Sequence, residues 1–273
     1  MKLHFHKSFW ETDCSNEKKL VSLTEQVKSE GYQGTELFLP FYGISPEQTL
    51  KAHDQVNLAI ITGIGTQGNT LEEHLESMKS QLEYALEFNP VLINSHTGRD
   101  IFSLEENLAL YDMALEFEAK HGIKVTHETH RFRPTFNTLT TEQILRRRGE
   151  LKLNLDVSHW MVVHESDLSD QMVRVNALAE SVHHIHARVG YEEGPQVTDP
   201  SDPIWKTHLE NHTRIWQQVI QQAQLRNQKS FTITPEFGPF PYAHTTPITQ
   251  THLTDIWKAN SYMKDYLQQH LVV

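Results

Sequence analysis

The sequence predicts a closed (β/α)8 barrel, an α/β fold of the TIM barrel type, on three observations. Short runs rich in β-branched and aromatic residues alternate with longer helical stretches along the whole chain. There are eight such runs, most of them about 25–35 residues apart, the period of one strand-and-helix unit. The length of 273 residues suits one barrel, whose usual size is about 250 residues.

The strands are read as Lys2–Phe9, Gly34–Leu39, Ala59–Gly63, Val91–Ser95, Lys124–Glu128, Lys152–Asp156, His183–His186 and Phe231–Glu236. A helix starting near Asn16 should stop at Gly31. Ser45–Pro46 reads as an N-cap followed by proline at the first helical position. Asn69–Thr70 precede Glu72 and Glu73, and Leu71, Leu75, Met78 and Leu82 then recur on one helix face. Ser103 and Glu106 have capping-box spacing ahead of Leu108, Leu115 and Phe117. Ile215, Trp216 and Val219 mark a later helix. Strands joined by helices without long linkers form a parallel sheet, and eight units argue for closure. An open doubly wound sheet is the alternative, but the glycine-rich fingerprint expected after its first strand is missing. No composition break divides the chain, so residues 1–273 are expected to form a single domain. Gly190–Pro203, rich in Gly, Pro, Asp and Glu, is expected to be a long loop.

The formal net charge of −11 repels a phosphate backbone, so a general nucleic-acid partner is not expected. One cysteine, Cys14, allows no intrachain disulfide. The opening residues lack an apolar run of signal-peptide length, and no run is long enough to span a membrane. A soluble cytoplasmic protein with a small-molecule partner is expected, with a homo-oligomer possible. Of the 18 histidines, most should be ordinary polar residues, such as His121, His252 and His270.

Barrel active sites lie at the C-terminal ends of the strands. The fifth strand ends at Glu128, the sixth at Asp156 with His159 beyond, the seventh at His186 with Arg188 beyond, and the eighth at Glu236. Four successive strands thus finish with a carboxylate or an imidazole. Side chains at even spacing share one face of a strand. Thr126 and Glu128, then Lys152, Asn154 and Asp156, then His184, His186 and Arg188 should therefore face the barrel interior. Val125, Leu153, Leu155, Val182 and Ile185 should face the helices. Carboxylates crowded into an interior need a compensating charge. One divalent metal ion would provide it; the mixed oxygen and nitrogen donors suit Mn²⁺, Zn²⁺, Mg²⁺, Co²⁺ or Fe²⁺. The alternative is a hydrogen-bonded polar network without metal. Glu36 and His6 lie at inward positions on early strands and are read as pocket contacts or as partners of each other.

On these residues the chain resembles the xylose-isomerase-like TIM barrel superfamily, the sugar phosphate isomerase/epimerase family. The ordered match is the glutamate of the fifth strand, Asp156-x-x-His159 on the sixth, His184-x-His186 on the seventh and Glu236 on the eighth. The resemblance covers the whole chain. It implies that Glu128, Asp156, His186 and Glu236 ligate the metal, that Glu128 and Glu236 are the catalytic pair, that His159 helps bind substrate or metal, and that Arg188 contacts substrate. His130, Arg131 and His96 are further candidates for holding hydroxyls or a phosphate, and Trp160, Trp205 and Tyr242 for stacking on a sugar.

The pattern departs from the epimerase branch after Glu128, where Thr129, His130, Arg131, Phe132 and Arg133 stand in place of an Asn-Arg pair and an acid. His96-x-Gly98 is similar to the endonuclease branch, where extra histidines, here His96, His6 or His208, hold further metals. The function implied is a metal-dependent isomerase or epimerase working through an enediolate. The alternatives are a lyase or dehydratase on a keto-sugar, an endonuclease-like hydrolase, and a sugar-binding protein without turnover.

Overall fold

The structure, a computed structural model, describes all 273 residues. Eight parallel strands close into a barrel in chain order: β1 (Lys2–Ser8), β2 (Gly34–Phe38), β3 (Ala59–Gly65), β4 (Leu92–His96), β5 (Val125–Glu128), β6 (Lys152–Leu155), β7 (Val182–His186) and β8 (Ser230–Thr234). The last pairs with the first, Thr232 opposite His4. Around them lie α1 (Glu17–Ser29), α2 (Pro46–Val56), α3 (Leu71–Leu86), α4 (Leu104–His121), α5 (Thr138–Arg147), α6 (Val157–His164), α7 (Met172–Leu178), α8 (Lys206–Leu225) and α9 (Ile256–His270). None of them is long and apolar enough to cross a membrane.

Local chemistry sets these boundaries. Asn16, Ser45, Thr70 and Ser103 cap α1 to α4, and Thr70–Glu73 and Ser103–Glu106 form reciprocal capping boxes. Gly31, just past α1, has φ +81°, which glycine adopts without steric cost. The main apolar core is the cylinder between strands and helices. Phe5, Leu37, Ile60, Ile93, Leu153 and Ile233 point outward into it and meet Leu20, Met78, Leu82, Trp216, Val219 and Met263. Burying each such large side chain stabilises by about 1.5–3 kcal/mol.

The other face of each strand lines the interior, and there the register is informative. Paired residues of parallel strands point the same way, and the pairs include Glu36–Ile61, Gly63–Asn94, Asn94–Thr126, Glu128–Asn154, Asn154–His184 and His186–Thr234. The interior is therefore mostly polar. Val182 has the parity of His184 but packs in the outer core. A register shift accounts for this: Leu153 pairs with Val182 while Asn154 pairs with His184, so His183 is an extra residue on β7. That irregularity turns His184 and His186 inward while Val182 stays outside.

Candidate metal and substrate site

Glu128 is the last residue of β5 and His186 the last of β7. Asp156 lies one residue beyond β6 and caps α6, and Glu236 lies two residues beyond β8. One ligand atom from each of these four residues can be chosen so that all lie within 4.8 Å of one another.

His186 sits at the centre. Its Nε2 donates to Glu36 Oε1 at 2.9 Å. Its Nδ1 is 2.9 Å from Glu236 Oε2 and 3.3 Å from Glu128 Oε2, yet has no hydrogen bond of acceptable direction. Glu36 is held by Thr234 Oγ1 at 2.6 Å, by His184 Nε2 at 3.1 Å and by Asn94 Nδ2 at 3.4 Å. Asn94 also donates to Glu128 Oε2 at 3.1 Å, and His96 Nε2 donates to the same oxygen at 2.7 Å. Asp156 accepts at Oδ1 from Ser158 N at 3.0 Å and Ser158 Oγ at 2.5 Å, while Oδ2 is paired with Arg188 Nη2. Arg188 is only 1 % exposed; it donates to His159 Nε2 at 2.7 Å and stacks over Tyr242.

The electrostatics describe an excess of negative charge. Burial alone would strip the proton from His186, but Glu236, Glu36 and Glu128 together hold its pKa well above the ordinary imidazole value. Burial pushes Asp156 up to about 6 against the pull of Arg188, with Glu128 and Glu236 adding to the rise. Four carboxylates thus face one guanidinium, and a proton on an imidazole offsets only part of the excess. A divalent cation would meet the same demand, and the unbonded Nδ1 of His186 faces the carboxylates that would share it. The donor set of three carboxylates and one imidazole fits such an ion.

Two other groups have ligand-like spacing and fit a cation less well. In the set Glu128, His130 and His159, both nitrogens of His159 meet arginines, Nε2 at Arg188 and Nδ1 at Arg131, 3.2 Å away. Those guanidiniums repel a cation. In the set Glu36, His184 and His186, the carboxylate is already satisfied by Thr234 and both rings.

A cavity of about 290 Å³ opens over Glu128, His186 and Glu236, walled by Trp10, Phe38, Phe41, Tyr242, His96 and Arg133, while Asp156 lies buried behind Arg188 and does not line it. A larger groove, between the loops after β1 and β8, contains no strand-end carboxylate of β5 to β8.

Several sequence-predicted contacts lie elsewhere. His6 does not reach the cavity wall: its ring packs over Gly34, where an added Cβ would stand 2.4 Å from it. His159 is fully buried behind His130, their ring centres 4.0 Å apart. Arg131 opens onto a neighbouring cavity with Tyr191 and Tyr242. Glu36 touches the cavity floor, with both oxygens committed to the network under His186. Trp160 is buried with its Nε1 on the Thr135 carbonyl, and Trp205 pairs with Tyr191, so of the three expected stacking rings only Tyr242 lines the cavity. His208 bonds Glu192 in the loop after β7, and His121, His252 and His270 are exposed.

Sequence reasoning missed Asn94, Thr234, Trp10 and Phe38. The first two share strand parity with His96 and Glu236, so alternation could have found them. Phe38 ends β2 at the parity of Glu36, whereas nothing in the sequence marks Trp10 as a wall residue.

No family model matches the chain, and no curated protein matches it in sequence. Solved structures do match its fold. D-allulose 3-epimerase from Methylomonas sp. is 14% identical at a TM-score of 0.68, over 98% of this chain and 97% of that one. A probable 3-DHS dehydratase from Bacillus anthracis is 17% identical at 0.63, over 98% and 99%. A xylose isomerase-like TIM barrel protein from Mycobacterium smegmatis, in complex with magnesium, is 12% identical at 0.61, over 98% and 98%. The chain therefore has the fold of the xylose isomerase-like barrels, a fold that carries both an epimerase and a dehydratase.

Proposed function

We propose that this chain is a metal-dependent isomerase or epimerase acting on a sugar or sugar derivative, with Glu128 and Glu236 as its proton-transfer pair. The observation that carries this reading is the approach of those carboxylates, from β5 and β8, to one nitrogen of His186, at 3.3 and 2.9 Å. Glu128, Asp156, His186 and Glu236 would hold a divalent ion among Mn²⁺, Zn²⁺, Mg²⁺, Co²⁺ and Fe²⁺, which would supply electrophilic polarisation of a carbonyl beside the carbon acid.

The chain's own residues do the rest. One glutamate removes a carbon-bound proton to give an enediolate, and the other returns one from its own side or to the adjacent carbon. His96 and Asn94 both bond Glu128 Oε2, which orients the other oxygen of that carboxylate. Burial would raise Glu128, but His96 and His186 keep it well below the ordinary carboxylate value, so it starts as a base. Arg188, fixed by Asp156 and His159, presents positive charge beside Glu236, its Nη1 3.8 Å away. Trp10, Phe38 and Tyr242 keep the cavity narrow and limit water.

A second reading is a lyase or dehydratase acting on a keto-sugar, keto-inositol or 3-keto-glycoside. It draws on Tyr242, whose hydroxyl lies 3.4 Å from His130 Nε2 at the cavity wall and suits protonation of a departing oxygen. The test is incubation of metal-loaded protein with ketoses, sugar phosphates and 3-keto-glycosides in D₂O. Deuterium in recovered sugar or its epimer supports the isomerase. A released aglycone or an enone supports the lyase. Absence of bound metal together with absence of exchange across the panel refutes both.

A further inference from the structure

We infer that Arg133 forms an oxyanion subsite on the β3–β4 side of the cavity. Resting on the function proposed above, this makes the substrate a sugar whose end remote from the reacting carbons carries a carboxylate or a phosphate.

The guanidinium is placed and held before any ligand arrives. Its Nη1 donates to the Gly98 carbonyl at 2.8 Å and to the Thr66 carbonyl at 3.2 Å, at the ends of β4 and β3. None of its bonds goes to a carboxylate. Nη2 makes no bond to the protein, and the wall beside it has no side chain: a Cβ on Gly65 would lie 3.8 Å from Nη2 and 3.3 Å from Phe38 Cζ. Glycine at this position keeps open the space that a ligand group bonded to Nη2 would fill. Gly65, Gln67 and Arg133 all line the same cavity as Glu128 and Glu236.

The proposed base and the guanidinium line one cavity on either side of His96. The His96 Cβ is 3.7 Å from the Gly65 Cβ position, and the His96 Nε2 is 2.7 Å from Glu128 Oε2. The His96 ring and the open space at Gly65 therefore lie between the proposed base and the guanidinium, all on the wall of one cavity.

Charge points to an anion over a hydroxyl. Burial lowers Arg133 to about 10 against the opposing field of Glu128, so it remains a cation at neutral pH. Two neighbouring arginines also lack a carboxylate partner: Arg99 stacks on Phe132, and Arg131 has its Nε 3.2 Å from His159 Nδ1. Arg133 lines this cavity and Arg131 the neighbouring one; in a chain of net charge −11, guanidiniums without a carboxylate partner attract an anion, and a guanidinium N–H bonds carboxylate and phosphate oxygens strongly.

The test compares three ketoses of one chain length: D-fructose, D-fructuronate and D-fructose 6-phosphate. Binding to metal-loaded protein is measured by calorimetry and turnover by deuterium exchange. At least one anionic sugar should bind about tenfold or more tighter than fructose, and which one does so identifies carboxylate or phosphate. Arg133→Met should collapse that ratio. Gly65→Val, which fills the space beside Nη2 and keeps the charge, should collapse it too, with thermal melts checking that both variants fold. Equal binding of all three sugars, or an anionic preference that survives Arg133→Met in folded protein, overturns the subsite. Arg133-dependent anion binding without exchange in any sugar of the wider panel would sink the isomerase reading and leave the subsite standing.

Discussion

Strands β5 to β8 bring Glu128, His186, Arg188 and Glu236 to the cavity, with Asp156 buried beside them, whereas β1 to β4 and the turns after them bring Trp10, Phe38, Phe41, Gly63 and Gly65. Both halves have the same backbone plan, yet one presents charge and the other presents shape. The late half needs its polar groups buried and mutually neutralised, so its side chains are held by several bonds each. The early half needs only a wall of the right height, and aromatic rings beside glycines provide it. Glu36, Asn94 and His96 cross the division, since they start on early strands and bond groups of the late half.

The largest effect that would test this division is chemical. Glu236→Gln should lower deuterium exchange by about 10²–10⁴-fold, the usual contribution of a placed general acid or base, and single-turnover rates check it. A variant that kept full exchange would remove the late half from the chemistry.

The comparison of inner and outer faces yields a pH prediction. Burial lowers His6 and His127 to about 3 and His212 to about 4, from 6.5 in each case. The unfolded chain therefore binds protons that the folded one refuses in the window between those values and 6.5. The contribution of these three histidines is fully present above about pH 6.5 and falls as pH drops toward 3–4. Asp156, raised to about 6, opposes the trend between 3.8 and 6 with a single group. Thermal melts of chelator-treated protein should shift steadily downward from pH 7 to pH 5.

Glu36→Gln tests whether a residue rooted in the early half serves the late one. Loss of the charge under His186 Nε2 should weaken divalent-ion affinity by about 10–100-fold, as read by competition with a chromogenic chelator. Unchanged affinity would return Glu36 to the role of packing. The smallest effect belongs to the wall itself. Phe38→Ala should raise KM by roughly tenfold or less, the scale of one lost aromatic contact, with metal content unchanged. A loss of metal in that variant would show the halves to be less separate than their composition suggests.

Much of the barrel was legible because its signals are local. Capping boxes at Thr70 and Ser103, and the strand spacing, depend on neighbours in the chain. The polar interior was legible through alternation, since Glu128, Asn154 and His186 share a face by parity. Legibility failed where a third dimension enters. Val182 breaks parity through an irregularity of pairing with β6, which no single strand announces. The junction of Arg188 with Asp156 and His159 depends on how α6 leaves the barrel, and the withdrawal of His159 behind His130 depends on the loop after β5. Trp10 becomes a wall residue only because its ring packs edge-on against Tyr242 from the loop after β8.

Asp156 has a double attachment with a mechanical consequence. The carboxylate that pairs with Arg188 also accepts from the Ser158 amide that opens α6. That helix cannot fray at its start without letting go of the acid, and the acid cannot swing away without baring the amide. Slow isotope exchange at the Ser158 peptide would thus act as a gauge of how firmly the barrel grips its charge.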